Sequence, residues 1–308
     1  MTRTLASHAG TPTSIRVFAA PDSMRDWSRR VRGAGRCLAL VPTMGALHEG
    51  HRSLFRAAGE AGDAVAASIF VNPAQFGEGE DFEHYPRQLE ADLEICAAEG
   101  VEAVYAPARG AVYAPAHSTW IVEEALAAPF EGACRPGHFR GVLTIVLKLF
   151  QVVEPDVAVF GQKDLQQALL IRRMVRDLDS PVQIRIAPTI RDADGLALSS
   201  RNAYLDADER QRALRLSRAL RAAAQRLAAG ETDTGRIRQA GRALLEGNGG
   251  LDVEYLEVAD LETMQTPARV EGPVAIIGAV RVGRTRLIDN VIYPPGALAG
   301  LSAGASTS

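Results

Sequence analysis

The sequence predicts a doubly wound α/β domain followed by a smaller α+β domain, and three observations carry that prediction. Between residues 36 and 187, short apolar strand-like runs alternate with helix-like stretches. The runs are apolar nearly throughout rather than at every second position, the pattern of parallel strands covered on both faces. After Leu205 the order changes to helices followed by strands.

Taken in order, residues 37–41, 64–71, 101–105, 157–160 and 182–186 read as the strands of the first domain. The clearest helix follows Gly141, where Val142, Ile145, Val146, Leu149 and Phe150 recur at helical spacing and Pro155 forbids continuation. Another starts at Asp164, with Leu170, Met174 and Leu178 four apart. In the second domain, Asp206 and Glu209 form a capping box that opens a long Arg/Ala/Leu helix stopping near Gly230. A second helix is expected over 234–246, and strands over 253–258, 274–280 and 286–292. The border lies between Pro188 and Leu205, which divides the chain into 1–189 and 190–308. The first fourteen residues and the last dozen read as loose tails, the C-terminal one disordered.

At 308 residues the chain is long enough for a large core in two domains, and 47% apolar with 23% charged residues is ordinary for a globular protein. A net charge of −3 argues against a nucleic-acid binder. The longest apolar run, around 142–150, is interrupted by Lys148 and too short to span a bilayer, so no membrane partner is expected. Cys37, Cys96 and Cys134 are odd in number and widely spaced, which suggests reduced thiols in a cytoplasm. Of the 34 basic residues only Lys148 and Lys163 are lysines. Codon bias explains such a ratio, yet a lysine kept among arginines can mark a place that needs a compact ammonium on a flexible stem.

The segment PTMGALHEGH at 42–51 follows the first strand and places His48 and His51 at a strand-to-helix turn. Backbone amides and the positive end of a helix make such a turn a site for phosphate, and two imidazoles can donate to its oxygens. HxxH spacing also suits two zinc ligands, but there is no HExxH and no paired cysteine spacing. The plainer alternative is a pair of capping histidines without chemistry. FGQKD at 160–164 is a second strand, glycine and helix-start arrangement, with Gly161 allowing close approach, Asp164 as a cap and Lys163 facing an anion; alone it is a weak motif that reads sooner as a surface lysine in a tight loop. LALSSRN at 196–202 offers the hydroxyls of Ser199 and Ser200, the Arg201 guanidinium and an amide, donors that suit a polyphosphate or simply make a turn. Asn72 and Gln75 are amides at a strand end, able to read a polar substrate from the rim. Arg135 and His138 precede the amphipathic helix. Neither GxxxxGK[ST] nor GxGxxG is present, which excludes the usual P-loop and dinucleotide folds.

Together with FVNPAQF at 70–76, YPR at 85–87, RPGHFRGV at 135–142 and DGLALSSRN at 194–202, these blocks resemble the pantothenate synthetase (pantoate–β-alanine ligase) family over residues 36–293. The resemblance implies a Rossmann-like first domain of the HIGH-motif nucleotidyltransferase superfamily and a small second domain closing as a lid. It implies a cytoplasmic homodimer that uses ATP, Mg²⁺, pantoate and β-alanine. Pantoate and ATP would give pantoyl adenylate and pyrophosphate, and β-alanine would then displace AMP to form pantothenate. His48, His51, Lys163 and Arg201 would be catalytic. ATP would be bound by Pro42, Thr43, Met44, His48, His51, Gly161, Lys163, Asp164, Ser199, Ser200 and Arg201. Pantoate would lie against Met44, Asn72, Gln75, Arg135 and Gln167.

Two departures stand out. Where some members carry consecutive aspartates after the YPR block, this chain has Ala91 and Asp92, which leaves Asp92 as the one candidate metal ligand there. Gln162 stands where glutamate is common. Two rivals stay open: another nucleotidyltransferase that moves AMP to a phosphorylated vitamin precursor, and a silent nucleotide-binding module.

Overall fold

The computed structural model describes residues 15–246 and 250–298, together with the backbone of residues 3–5. Most of both expected tails lies outside the described residues, but residues 3–5 form a strand and Leu298 is buried. Contacts divide the chain into two units: Met1–Glu124, Arg135–Phe160 and Leu170–Ala187 form the first, and Ala125–Cys134, Gly161–Leu169 and Pro188–Ser308 the second.

In the first unit, strand β1 (Arg3–Leu5) pairs antiparallel with β2 (Ile15–Phe18) at one edge of the sheet. From β2 the sheet continues in parallel through β5 (Ala103–Tyr105), β4 (Ala64–Ile69), β3 (Leu38–Thr43) and β6 (Val157–Gly161), with β7 (Gln183–Ala187) at the far edge. The five strands expected here are all present, displaced at an end by at most two residues. β2 and helix α1 (Pro21–Gly33) were not anticipated, since the run Ile15–Phe18 is only four residues with two of them unburied. α1 is fixed by Pro21 in its first turn and by Met24, Trp27, Ser28 and Val31, which all bury one face.

The strand order reverses at β3, with β4, β5 and β2 on one side and β6 and β7 on the other. Ligands of such sheets bind at the carboxyl ends of strands where this reversal occurs. β3 is buried at five of its six positions, consistent with helices on both faces. Helix α2 (Glu49–Ala61) follows it directly, and α3 (Leu89–Ala98) precedes β5. The helix expected after Gly141, α4 (His138–Val153), begins earlier than its apolar pattern and ends where Glu154 turns left-handed (φ 48°) before Pro155. The helix expected from Asp164 is α5 (Leu165–Asp177), and its apolar stripe stops at Met174, because Leu178 lies beyond the helix and is 52% exposed.

The second unit is a three-stranded antiparallel sheet of β8 (Asp252–Asp260), β9 (Val274–Val282) and β10 (Thr285–Tyr293) in the order β10-β9-β8. α6 (Ala207–Ala228) packs on β9 and β10, and α7 (Thr234–Glu246) on β8. Leu214, Leu220, Ile237, Leu256, Ile276 and Val280 form its core. The Asp206 and Glu209 capping box is formed in both directions, at 2.7 and 3.2 Å. Residues 125–134 join this unit through charge: the buried Glu131 carboxylate accepts from Tyr255 Oη at 2.5 Å and from two nitrogens of Arg286 at 2.6 and 2.8 Å. Burial, followed by the neighbouring Glu131 charge, holds the proton on Tyr255 far above its usual range.

Candidate active site

The turn after β3 is built by its own backbone demands. Thr43 Oγ1 donates to the Ser68 carbonyl on β4 at 2.7 Å and accepts the Gly45 N–H at 3.2 Å, so this hydroxyl shapes the turn. Gly45 and Ala46 are both left-handed, at φ 85° and 52°. A side chain at Gly45 would place its Cβ 2.8 Å from Asp92 Oδ2, so only glycine fits under both constraints.

Asp92, expected as a metal ligand, does a different job. It is 1% exposed on α3, and its two oxygens accept the Leu47 N–H at 2.8 Å and the Ala46 N–H at 3.0 Å. Burial raises its pKa, while those two N–H groups oppose the rise. The carboxylate is spent on holding the histidine turn. Among the described residues no group of three or more His, Cys, Asp or Glu side chains is placed to hold a metal ion. The described side chains therefore do not form a magnesium cage.

His48 is the N-cap of α2, and the two histidines close a reciprocal capping arrangement. His48 Nδ1 accepts the Gly50 N–H at 3.1 Å, and His51 Nδ1 accepts the His48 N–H at 3.3 Å. With Nδ1 an acceptor in both rings, the neutral tautomer carries its proton on Nε2. The ring centroids are 4.2 Å apart. The capping reading and the phosphate reading are thus compatible: the caps use Nδ1 as acceptor, and in that tautomer Nε2 carries the N–H, at the positive end of a helix.

Asn72 and Gln75, expected at the rim, are buried at 1% and 9% exposure. Asn72 Nδ2 donates to Gln75 Oε1 at 3.0 Å and to the Gly141 carbonyl at 3.1 Å, while its Oδ1 accepts from Tyr113 Oη at 2.9 Å. Gln75 Nε2 lies 3.3 Å from Met44 Sδ. Met44, Asn72 and Gln75 are brought together by a network with Tyr113 that nothing in the sequence signalled. Pro42 is half-buried on β3, two residues before Met44. Glu80 grips Arg135 through two bonds of 2.6 Å, with burial opposing and Arg135 lowering the Glu80 pKa. Arg135 Nη1 donates to His138 Nε2 at 3.1 Å, which leaves His138 Nδ1–H to donate to the Gln75 carbonyl at 2.8 Å. Arg135 and His138 thus position the Gln75 backbone.

The remaining candidates belong to the second unit. Gly161, Lys163 and Asp164 lie in and beside the 3₁₀ turn Gln162–Asp164, where Lys163 Nζ is 3.5 Å from Asp164 Oδ1. Gln167 is half-buried in the first turn of α5, while its neighbour Gln166 is buried and fully used by the backbone of Leu126, Pro129 and Glu131. Ser199 caps the 3₁₀ turn Ser200–Tyr204 by accepting the Arg201 N–H at 3.3 Å, and Asn202 Nδ2 donates to the Ala197 carbonyl at 3.0 Å. Ser200 and Arg201 are half-buried in that turn. Each unit thus presents N–H or cationic donors suited to an anion.

Comparison with known proteins supplies the chemistry. The sequence model described as "Pantoate-beta-alanine ligase" matches residues 16–292. Pantothenate synthetase of Moorella thermoacetica is 49% identical over 270 residues, 88% of this chain and 95% of that protein. That of Mycolicibacterium smegmatis is 50% identical over 93% of this chain and 90% of its own length. Among solved structures, pantothenate synthetase of Thermus thermophilus superposes with a TM-score of 0.85 at 41% identity, covering 90% of this chain and 99% of that one. Pantoate-beta-alanine ligase of Francisella tularensis, solved in complex with "Beta-gamma ATP and Beta-alanine", has a TM-score of 0.73 at 31% identity, over 91% of this chain and 98% of that one.

Proposed function

The chain belongs to the pantoate–β-alanine ligase family, and from that premise we propose how its residues divide the work. The activity is ATP-dependent condensation of pantoate with β-alanine to pantothenate through pantoyl adenylate, with release of pyrophosphate and AMP. A carboxylate is a poor acyl donor because its leaving group would be oxide. The pantoate carboxylate therefore attacks the α-phosphorus, the bond to pyrophosphate breaks, and the acyl carbon gains AMP as a leaving group. The β-alanine amine then attacks that carbon, AMP departs with the bonding pair, and the amine loses a proton.

Adenylation asks for positioning and positive potential more than for a nucleophile. His48 and His51 supply Nε2–H donors to the phosphates, and the N-terminus of α2 adds its partial charge. Lys163, Ser200 and Arg201 hold the polyphosphate, with Ser199 shaping their turn. Gly161 and Asp164 lie toward adenosine. Met44, Gln75 and Gln167 contact pantoate, with Asn72 and Arg135 fixing Gln75. With ATP, Mg²⁺ would supply further positive charge at the phosphates, since this ion commonly relies on phosphate and water oxygens. The Nδ1-acceptor geometry of the two histidines is the observation that carries this reading.

Labelled pyrophosphate should exchange into ATP when Mg²⁺ and pantoate are present and β-alanine is left out. Exchange independent of pantoate, or none from folded protein that binds ATP, would overturn the assignment. We place the enzyme in the cytoplasm as a homodimer; a single-chain mass by light scattering would overturn the dimer. Among the described residues no helix is long and apolar enough to cross a membrane. The described cysteines are all free.

A further inference from the structure

Two adjacent residues of β10, Asp289 and Asn290, reach both anion-binding loops of the second unit. The Asp289 side chain is 3% exposed and takes a forked bond from Arg191, with Nη1 to Oδ2 at 2.6 Å and Nη2 to Oδ1 at 2.8 Å. Arg191 bridges to Ala197, and the Leu198 N–H donates to the Ile190 carbonyl at 3.0 Å, so this anchor extends to the residue before Ser199. Asn290 is 3% exposed. Its Nδ2 donates to the carbonyls of Gln162 at 2.8 Å and Lys163 at 3.0 Å, and its Oδ1 accepts from Gln162 Nε2 at 3.0 Å. The Asn290 N–H donates to Asp289 Oδ1 at 2.7 Å, which couples the two anchors. β10 packs against both 3₁₀ turns.

We propose that Asp289 and Asn290 are positioning residues for the ATP polyphosphate, fixing the Lys163 turn and the Ser199 to Arg201 turn in one register so that their donors meet the ligand preformed. This rests on the reading that those two turns bind polyphosphate. Two loops joined by 35 intervening residues (164–198) have no local reason to hold a common spacing. A fully used buried amide on a rigid strand supplies one, and donors fixed before binding avoid the ordering cost of assembling a site around the ligand. Arg191 also neutralises Asp289, so a carboxylate sits beneath an anion site without repelling its ligand. The amide of Gln162 is the donor that completes the Asn290 contacts.

The test is pantoate-dependent exchange and steady-state turnover by Asn290→Ala, Asp289→Asn, Lys163→Ala and the double variant Lys163→Ala/Asn290→Ala. Asn290→Ala is expected to raise KM for ATP on the order of tenfold, less than the roughly 10²-fold that a 1 Å misplacement can cost. KM for β-alanine should stay unchanged. Because Asn290 acts through Lys163, it should add little in the Lys163→Ala background. Unchanged KM for ATP in Asn290→Ala, a fall in kcat alone, or fully multiplicative effects in the double variant would overturn the proposal. Should Asn290→Ala not fold, Gln162→Ala removes one of the three Asn290 contacts and should raise the same KM about threefold, within the usual worth of one hydrogen bond; no rise would overturn it. Normal exchange by Lys163→Ala would instead sink the underlying polyphosphate reading.

Discussion

Replacing Lys163 with alanine is expected to slow adenylation by about 10²-fold or more, the scale seen when one donor to a transition state is removed. Lys163 is one of two lysines among 34 basic residues and sits in a 3₁₀ turn whose main-chain carbonyls are tied to Asn290. Its backbone is therefore held while its stem stays free to follow charge as pyrophosphate departs. The Asp164 contact, at 3.5 Å, is too long to immobilise the ammonium. An arginine at this position is a planar fork of different reach and should restore only part of the rate. Rapid-quench measurement of pantoyl adenylate in the absence of β-alanine reads the step directly. A folded Lys163→Ala enzyme forming adenylate at nearly the normal rate would remove the residue from the mechanism.

Gly141→Ala is expected to destabilise the protein by roughly 2–4 kcal/mol, at the upper end of overpacking costs. A Cβ there would lie 2.2 Å from the Ala74 carbonyl oxygen and 2.6 Å from the Gln75 nitrogen. Both partners are backbone, so no rotamer change relieves the clash. The whole Pro73–Gln75 turn must move off α4, and with it the Asn72 bond to the Gly141 carbonyl. Activity should fall together with stability, because the displaced turn carries Gln75. The matched control is Gly59→Ala on α2, where a Cβ meets nothing within 4 Å. That change should stabilise by about 0.4–1 kcal/mol, through helix propensity and a less flexible unfolded chain. Urea midpoints at constant m-value compare the two. Equal midpoints for Gly141→Ala and the parent would show that the turn yields at no cost.

A glycine inside an otherwise regular apolar helix is itself a readable signal, since it forfeits about 1 kcal/mol of propensity relative to alanine. Here the helix was expected only after Gly141, and the structure puts the glycine inside it, against the Pro73–Gln75 turn. The parallel strands were legible because burial on both faces demands apolar residues at nearly every position, and the α6 start was legible because Asp206 and Glu209 cap within three residues. β2 and β1 were not, since strands of three and four residues hold too few positions to show a period. The structural partners of Arg135 and Asp92 were not legible, because a charged residue beside a motif carries no mark of its partner. Glu80 lies 55 positions from Arg135, and Leu47 lies 45 from Asp92.

By itself the sequence determined the family, the two kinds of domain, and the histidine, lysine and serine–arginine segments proposed to carry the chemistry. All of these are written in local order, in periodicity and in contiguous motifs. Only the tertiary structure decided which nitrogen of each histidine donates, that Asp92 and Arg135 serve the backbone, and that Asp289 and Asn290 bind two distant loops. A hydrogen bond between residues far apart in the chain leaves no local trace in composition or spacing, because its partner is chosen by the fold.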